Sequence, residues 1–510
     1  MSSSLLCETV TGDTMARLTA ARDVATTADM VELRLDGVRN LDVAQALSGR
    51  RTPVIVTCRP TWEGGRFDGS EEERLAVLTR ALVLGAEYVD LEWRALRHAY
   101  DGAGFDDLIR ANGARVVVSI HDFVGVPEDL GSCARAMRST GAAVIKVAVT
   151  ATRLSDTLPL LDIAKGGDAV VIGMGEAGVP SRLLASRFGS RWTYGGNAVA
   201  PGQVSAARML KQFRFRAVGT TTALYGVVGD NVMHSVSPAM HNAAFAAAGL
   251  NAVYVPLRAA DFADFLAFAE ALGISGASVT IPFKRDALLA SVSSDDLART
   301  VGAANTIRRV RGGWEAINTD IAGFLEPLEA VWEAHVLGAG EPKRNTHAAG
   351  QVHPRVSVLG AGGASRAVVA GLASKGARVT VHARRKDQAQ EVAASLGVDA
   401  GPWPPAARSW DVLVNCTPLG SASAPDSSPL PGGPFDGRLV YDLTYRHGES
   451  LLVREARRAG LRTLDGLPML VAQAERQFEW WTGHRPEPGV MRAAALAETG
   501  HRDTEASSRT

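Results

Sequence analysis

Residues 115–149 read RVVVSIHDFVGVPEDLGSCARAMRSTGAAVIKVAV. A β-branched run ends in polar residues, a Gly- and Pro-containing turn follows, an Ala-rich stretch has helical spacing, and a second apolar run closes the unit. The same unit recurs on both sides. The runs LLCETV, MVELRLD, PVIVTCR, YVDLEW, RVVVSIHD, VIKVAV, AVVIGMG and WTYGGN follow one another from around Cys7 to Asn197. They start roughly every 25 residues, and the segments between them, such as RLAVLTRALVLGAE, carry 3.6-type periodicity. Strand and helix thus alternate eight times, the pattern of a (β/α)8 TIM barrel, which we assign to residues 1–215. In such a barrel the chemistry gathers at the C-terminal strand ends.

Polar residues stand in that zone: Glu32 and Arg34 in VELRLD, Arg59 and Glu63 in TCRPTWEGG, His121 in SIHDF and Lys146 in VIKVAV. Lys146 is the most informative, because an ammonium inside a crowded apolar strand is disfavoured by desolvation and becomes a nucleophilic amine able to form a Schiff base with a ketone. The competing reading has it snorkelling outward or pairing with Glu32 or Glu92. His121 ends the preceding strand, where an imidazole titrating near neutral pH can shuttle protons beside an imine.

The succession ELRLD, TCRP..EGG, SIHDF, IKVA, MG..G..SR and APGQ, over roughly residues 5–212, resembles the type I 3-dehydroquinate dehydratases. The resemblance implies that Lys146 forms an imine with the C3 ketone of 3-dehydroquinate. His121 would remove a C2 proton and help water leave from C1, giving 3-dehydroshikimate. It further implies that Glu32, Arg34, Arg59, Arg182 and Gln203 hold the substrate's carboxylate and hydroxyls, guanidinium groups being suited to bidentate capture. Val199 departs from the pattern, standing where the family often has Ser before APGQ.

After the basic linker KQFRFRAVGTTT a second α/β module begins near Ala223. Its first lobe, residues 222–324, offers strands LYGVVG, AVYVPL, GASVTIP, ANTIRRV and WEAINTD, with RGG turning between the last two. Residues 325–354 are longer than a typical connection and read as a linker with a mobile loop. The stretch RVSVLGAGGASRAVVAGLASKGARVTVHARR opens a Rossmann unit over residues 355–465. In it Gly360, Gly362, Gly363 and Ala364 form the turn that brings backbone close to a pyrophosphate at a helix N-terminus. Ser365 stands where the strict fingerprint prefers Gly or Ala. The next strand ends in Arg384 and Arg385 rather than an acid, which favours the 2′-phosphate of NADP(H) over NAD. Residues 466–498 return as helices to the first lobe, and residues 499–510 read as a disordered tail.

The first lobe holds GDNVMHSVSPAMHN, SVTIPFK, GAANT and NTD. Ser235 and Ser237 are hydroxyl donors in a loop suited to a carboxylate. Lys284 can donate a proton to a developing alkoxide and Asp320 can hold it in place. Together with LVNCTPLG, LVYDLTYR and DGLPMLVAQ, these motifs resemble the shikimate dehydrogenase family over about residues 222–490. That resemblance implies reduction of 3-dehydroshikimate by NADPH, with Lys284 and Asp320 as the catalytic pair. Ser235, Ser237, Thr280, Asn305 and Gln473 would bind substrate, and Thr417 would lie along the cofactor. Ser278 departs from the usual Asn, and His382-Ala383-Arg384-Arg385 from the usual NRT. Preference for quinate or for NAD, and a metabolite sensor without catalysis, stay open as alternatives at this stage.

Composition agrees with a multidomain enzyme of small metabolites. At 510 residues the chain exceeds a single core. A formal net charge of zero supplies no field for nucleic acid or an anionic membrane. The four cysteines, Cys7, Cys58, Cys133 and Cys416, have neither disulfide-framework nor metal spacing, so no metal is expected. No signal-peptide pattern opens the sequence and no apolar run reaches the roughly 18 residues of a bilayer span, so the expected location is cytoplasmic.

Overall fold

The computed structural model describes residues 4–97, 104–196, 202–335, 354–421, 424–445 and 448–500. Val199, residues 336–353 of the expected linker and the tail beyond Gly500 lie outside the described residues. By internal packing the chain divides into two units, residues 1–224 with 251–274, and residues 225–250 with 275–510.

The first unit contains eight strands: β1 (Leu5–Val10), β2 (Met30–Arg34), β3 (Val54–Thr57), β4 (Tyr88–Glu92), β5 (Val116–Asp122), β6 (Val144–Thr150), β7 (Ala169–Met174) and β8 (Trp192–Gly195). They form one sheet in the order β7-β6-β5-β4-β3-β2-β1-β8, and the ladders from β8 through β1 to β7 are parallel. This is a nearly closed barrel with all eight expected strands. Helices fill the connections where local chemistry starts them: Ser70 and Glu73 make a reciprocal capping box at the head of helix Glu71–Val83. Register and the two-residue side-chain period then place the polar groups. Ser119 is paired with Lys146 and Glu92 with Ser119, while Asp90 and Glu92, like Ser119 and His121, are two residues apart and share a face. Residues 251–274 complete this unit with strand β10 (Ala252–Arg258) and helix Phe262–Leu272.

In the second unit, β9 (Ala223–Gly229), β11 (Ile274–Val279), β13 (Thr306–Val310), β14 (Gly313–Ile317) and β12 (Ser293–Ser294) succeed one another across a mixed sheet. The β13–β14 hairpin turns at Gly312 and Gly313, both at positive φ, where the RGG reading puts it. Helix Asp320–His335 runs through the first part of the stretch expected as linker.

The Rossmann sheet comprises β15 (Arg355–Leu359), β16 (Arg378–His382), β17 (Asp399–Ala400), β18 (Val412–Asn415), β19 (Leu439–Asp442) and β20 (Arg462–Leu464). All its pairings are parallel, in the order β17-β16-β15-β18-β19-β20. Val356, Val358, Val381, Val412 and Val414 are buried together with Val368, Val369 and Phe324 from flanking helices, so strands read as continuous apolar runs. The strand order reverses at β15, which locates the ligand crevice above its C-terminal end.

One close approach shapes the barrel mouth. A Cβ on Gly178 would stand 2.3 Å from the Gly173 carbonyl carbon, so only glycine lets the chain fold back from β7 into the short helix Val179–Leu183 that bears Arg182. Backbone cannot swing aside as a side chain does. Gly178→Ala is expected to cost about 1–3 kcal/mol, read as a lowered barrel transition in thermal or denaturant unfolding.

Candidate active sites

In the barrel, the seven residues expected from sequence line one cavity: Lys146, His121, Glu32, Arg34, Arg59, Arg182 and Gln203, joined by Thr9, Glu63, Phe123, Met174 and Tyr194. Lys146 is 5 % exposed and neither snorkels nor meets Glu92. Its Nζ donates to Asp90 at 3.0 Å and to Glu32 at 3.3 Å, and it sits 4.3 Å from the centre of the Tyr194 ring. Desolvation is therefore countered by two carboxylates, one of which, Asp90, the sequence reading passed over within YVDLEW. Glu32 is held in turn by the hydroxyls of Thr9 and Thr57, both donating at 2.9 Å.

Beneath this pair, Arg59 donates to Glu92 at 2.6 Å and lies 3.0 Å from Asp90, while Arg74 pairs with Glu92 from the other side. Ser119 Oγ donates to Asp90 at 2.6 Å. Burial would raise the Asp90 carboxyl, but Arg59 and Lys146 hold it well below the usual carboxylate range. Three buried acids thus meet three buried cations. Arg34, which also lines the cavity, is oriented by a bidentate pair with Asp36, at 2.8 and 2.9 Å. Arg182 differs. Among the described residues no carboxylate pairs with it, its Nε has no partner, and burial pushes its pKa down to about 10. A buried guanidinium without an acid is arranged for an anion.

His121 was expected to titrate near neutrality, and the structure moves it away. Burial, reinforced by Arg59 and Lys146, pushes the imidazole well below its ordinary value, so it is neutral at neutral pH and able to accept a proton. Its Nδ1 is 3.0 Å from Glu63 Oε1, which also accepts the His121 backbone N–H at 3.1 Å. Burial raises Glu63 to about 8. The ring's other nitrogen is therefore oriented by a group that sequence reading named only as a strand-end acid.

In the second unit Lys284 and Asp320 each begin a helix after an extended segment, and Lys284 Nζ donates to Asp320 Oδ2 at 2.6 Å. Asn305 Nδ2 donates to Asp320 Oδ1 at 2.7 Å and to Thr319 Oγ1 at 2.9 Å, with Gln473 Oε1 at 3.4 Å. Four expected residues thus form one cluster. Thr280 packs on the Gly229 turn, where its Cγ2 leaves no room for a Cβ. The Ser237 N–H donates to Ser235 Oγ at 3.2 Å, and Ser235 in turn hydrogen-bonds Tyr445, the second tyrosine of LVYDLTYR. The Ser278 hydroxyl donates to Gln477 at 2.7 Å, and Gln477 donates to Thr306 at 2.9 Å. The departure from Asn is thereby absorbed inside the protein. A cavity of about 870 Å³ elsewhere in this unit is lined by none of the residues expected from sequence.

The Gly-rich turn fits a dinucleotide. Gly360 has φ +113, and a Cβ there would stand 3.2 Å from the Cys416 carbonyl and 3.4 Å from Thr417 Cγ2. Gly362 faces open space and carries no side-chain cap, so the first N–H groups of helix Gly363–Ser374, including Ala364, are left to a diphosphate. Ser365 Oγ donates to the Gly360 carbonyl at 2.7 Å, which accounts for a hydroxyl at the third fingerprint position. Arg384 and Arg385 are exposed at the end of β16, whereas His382 is buried between Ser357 and the Pro402 carbonyl.

Comparisons with known proteins agree with this geometry. Residues 6–220 match the family described as type I 3-dehydroquinase, residues 227–307 the shikimate dehydrogenase substrate binding domain, and residues 466–496 the shikimate 5′-dehydrogenase C-terminal domain. The chain therefore combines a dehydroquinase barrel with a shikimate dehydrogenase module. A bifunctional 3-dehydroquinate dehydratase/shikimate dehydrogenase, chloroplastic, from Arabidopsis thaliana is 33% identical over 94% of this chain and 82% of its own length. The chain belongs to that bifunctional family. The NADP(+) shikimate dehydrogenase of Anaeromyxobacter sp. (strain Fw109-5) is 40% identical over 55% of this chain and 97% of its own. A crystal structure of the Thermus thermophilus shikimate 5-dehydrogenase in complex with NADP(H) and shikimate is 33% identical, covering 54% of this chain and 100% of that one at a TM-score of 0.47.

Glu63 supplies a test independent of turnover. Its folded pKa of about 8 lies above the ordinary 4.5, so the stability it confers is full below pH 4.5 and is lost as pH rises through 8. Glu63→Gln has no such loss. The variant's thermal midpoint is expected to gain on the wild type progressively between about pH 5 and 8; parallel curves across that window would show that the carboxyl is not held protonated.

Proposed function

We propose that this chain carries out two successive reactions of the shikimate pathway: dehydration of 3-dehydroquinate to 3-dehydroshikimate in the barrel, and NADPH-dependent reduction of 3-dehydroshikimate to shikimate in the second unit. The assignment of residues 1–215 to the first reaction and of 222–324, 355–465 and 466–498 to the second belongs to the same reading. The observation that carries it is the barrel cavity in which Lys146, neutral His121 and Arg182, which meets no carboxylate among the described residues, stand together.

In the dehydratase, Arg182 takes the substrate carboxylate while Arg34, Arg59, Glu32 and Gln203 meet its hydroxyls. Lys146 gives up a proton to the neutral His121 imidazole and attacks the C3 ketone; the imidazolium returns that proton to the departing hydroxyl, which leaves as water, and the protonated imine acidifies C2. His121 removes the C2 proton, the electron pair forms the C1–C2 double bond, and the C1 hydroxyl leaves as water with that proton. Hydrolysis of the imine releases the enone and restores the lysine. In the reductase, NADPH supplies the hydride. Lys284 donates the proton to the alkoxide that develops and Asp320 holds the ammonium in place, while Ser235, Ser237, Thr280, Asn305 and Gln473 orient the substrate. Gly360, Gly362, Gly363, Ala364 and Thr417 seat the diphosphate and nicotinamide side, and Arg384 with Arg385 the 2′-phosphate.

No helix of the described residues is long and apolar enough to cross a membrane. All four cysteines are free, which suits a reducing compartment, and we place the protein in the cytoplasm. Fractionation of the source cells checks this, since the Arabidopsis relative is described as chloroplastic.

Purified chain given 3-dehydroquinate should form a conjugated enone, and then consume NADPH. Lys146→Ala should lower dehydration by roughly a thousandfold or more while sparing reduction, and Lys284→Ala should do the reverse. Loss of both activities from either change contradicts separate sites. Replacing Arg384 and Arg385 together by Ala should raise the KM for NADPH roughly tenfold and leave NADH turnover unchanged.

A further inference from the structure

Residues 251–274 lie inside the stretch that matches the shikimate dehydrogenase substrate binding domain, yet they pack as part of the barrel unit. Several of their contacts fall on the loops after β6 and β7. The Asp264 carboxylate, 2 % exposed in the first turn of helix Phe262–Leu272, accepts the backbone N–H of Leu154 at 2.9 Å and that of Ser155 at 2.8 Å. It also accepts the N–H of Ala260 at 3.0 Å. Asp261, the N-cap of the same helix, meets Arg153 at 2.7 Å. Glu176, in the loop after β7, lies 3.5 Å from Arg258 at the end of β10. Further out, Arg187 donates to the Leu272 carbonyl and Arg214 to the Ala252 carbonyl, both at 2.7 Å.

The loop so held follows β6, the strand of Lys146. Four consecutive amides of that loop are taken by two carboxylates: Thr152 and Arg153 donate to Asp156, and Leu154 and Ser155 to Asp264. The loop is in turn stacked on the binding residues. Ala151 donates to the Met174 carbonyl, a Cβ on Gly175 would stand 3.0 Å from the Ala151 carbonyl, and one on Gly202 would stand 2.4 Å from the Gly175 carbonyl. Met174 lines the cavity, and Gly202 precedes Gln203, which does too.

We propose that residues 251–274 form a clamp on the dehydratase mouth, with Asp264 as the positioning residue that fixes the β6 loop and, through Ala151, Met174 and Gly202, the substrate-binding wall. Lys146 itself sits mid-strand between two ladders, so the clamp acts on binding rather than on the nucleophile. The inference rests on the dehydratase reading given above.

In the full-length chain, Asp264→Ala should raise the dehydratase KM about tenfold with kcat changed less than threefold. Hydrogen exchange of the peptide containing Leu154 and Ser155 should become at least tenfold faster. Asp264→Asn keeps an acceptor for Leu154 and Ala260 but opposes the Ser155 amide with a donor, so it should fall between the two. It serves as the deciding variant if Asp264→Ala does not fold. Unchanged exchange, an unchanged KM, or a fall in kcat alone overturns the clamp. A wild-type chain without dehydratase turnover sinks the functional reading instead, and the exchange experiment still decides whether Asp264 holds the loop.

Discussion

Everything in the barrel is organised by the cost of charge in its interior. An ion moved from water into a protein core loses several kcal/mol even after relaxation, and removing one partner of a buried pair costs about 3–5 kcal/mol. Lys146 is tolerated because Asp90 and Glu32 face it, Asp90 because Arg59 and Ser119 face it, and Glu92 because Arg59 and Arg74 face it. Arg74 also meets Glu71, so the network runs from the cavity floor outward to the head of helix Glu71–Val83. Beside it, Arg182 meets no carboxylate among the described residues, Glu63 keeps its proton up to about 8, and His121 is an imidazole held neutral. Arg182 on the short helix after β7, Lys146 within β6 and His121 near the end of β5 thus line one cavity.

The second unit solves the same problem by another route. Lys284 and Asp320 are placed by helix starts, and Asn305 fixes the acid by donating to it. The Gly-rich turn is part of this arrangement as well as a cradle for diphosphate, because a Cβ on Gly363 would stand 3.2 Å from Lys284 Cδ. The stem of Lys284 therefore packs against the Gly-rich turn.

Much of this was legible in the sequence because its signals are local. Eight β-branched runs, a glycine turn between strand and helix, and Lys146 and Lys284 in their strings each declare themselves within a few residues. The roles that escaped notice are those set by partners far away along the chain. Asp90 reads as an ordinary strand residue until the barrel closes and brings it within 3.0 Å of Lys146. Tyr445 sits in LVYDLTYR without a role read from it and Gln477 lies in no quoted motif, and both acquire meaning from Ser235 and Ser278 some two hundred residues earlier. The titration of His121 was misjudged for the same reason, since the burial and cations that depress it come from other strands.

By itself the sequence determined the elements, their order and the inventory of reactive groups, because strand and helix periodicity and turn chemistry depend on neighbours along the chain. Tertiary structure alone decided which acid meets which base, which arginine meets no carboxylate among the described residues, and which segment Asp264 brings to the loop after β6. Coulomb energy and desolvation depend on distances through space, and those are set only when register, closure and packing are complete.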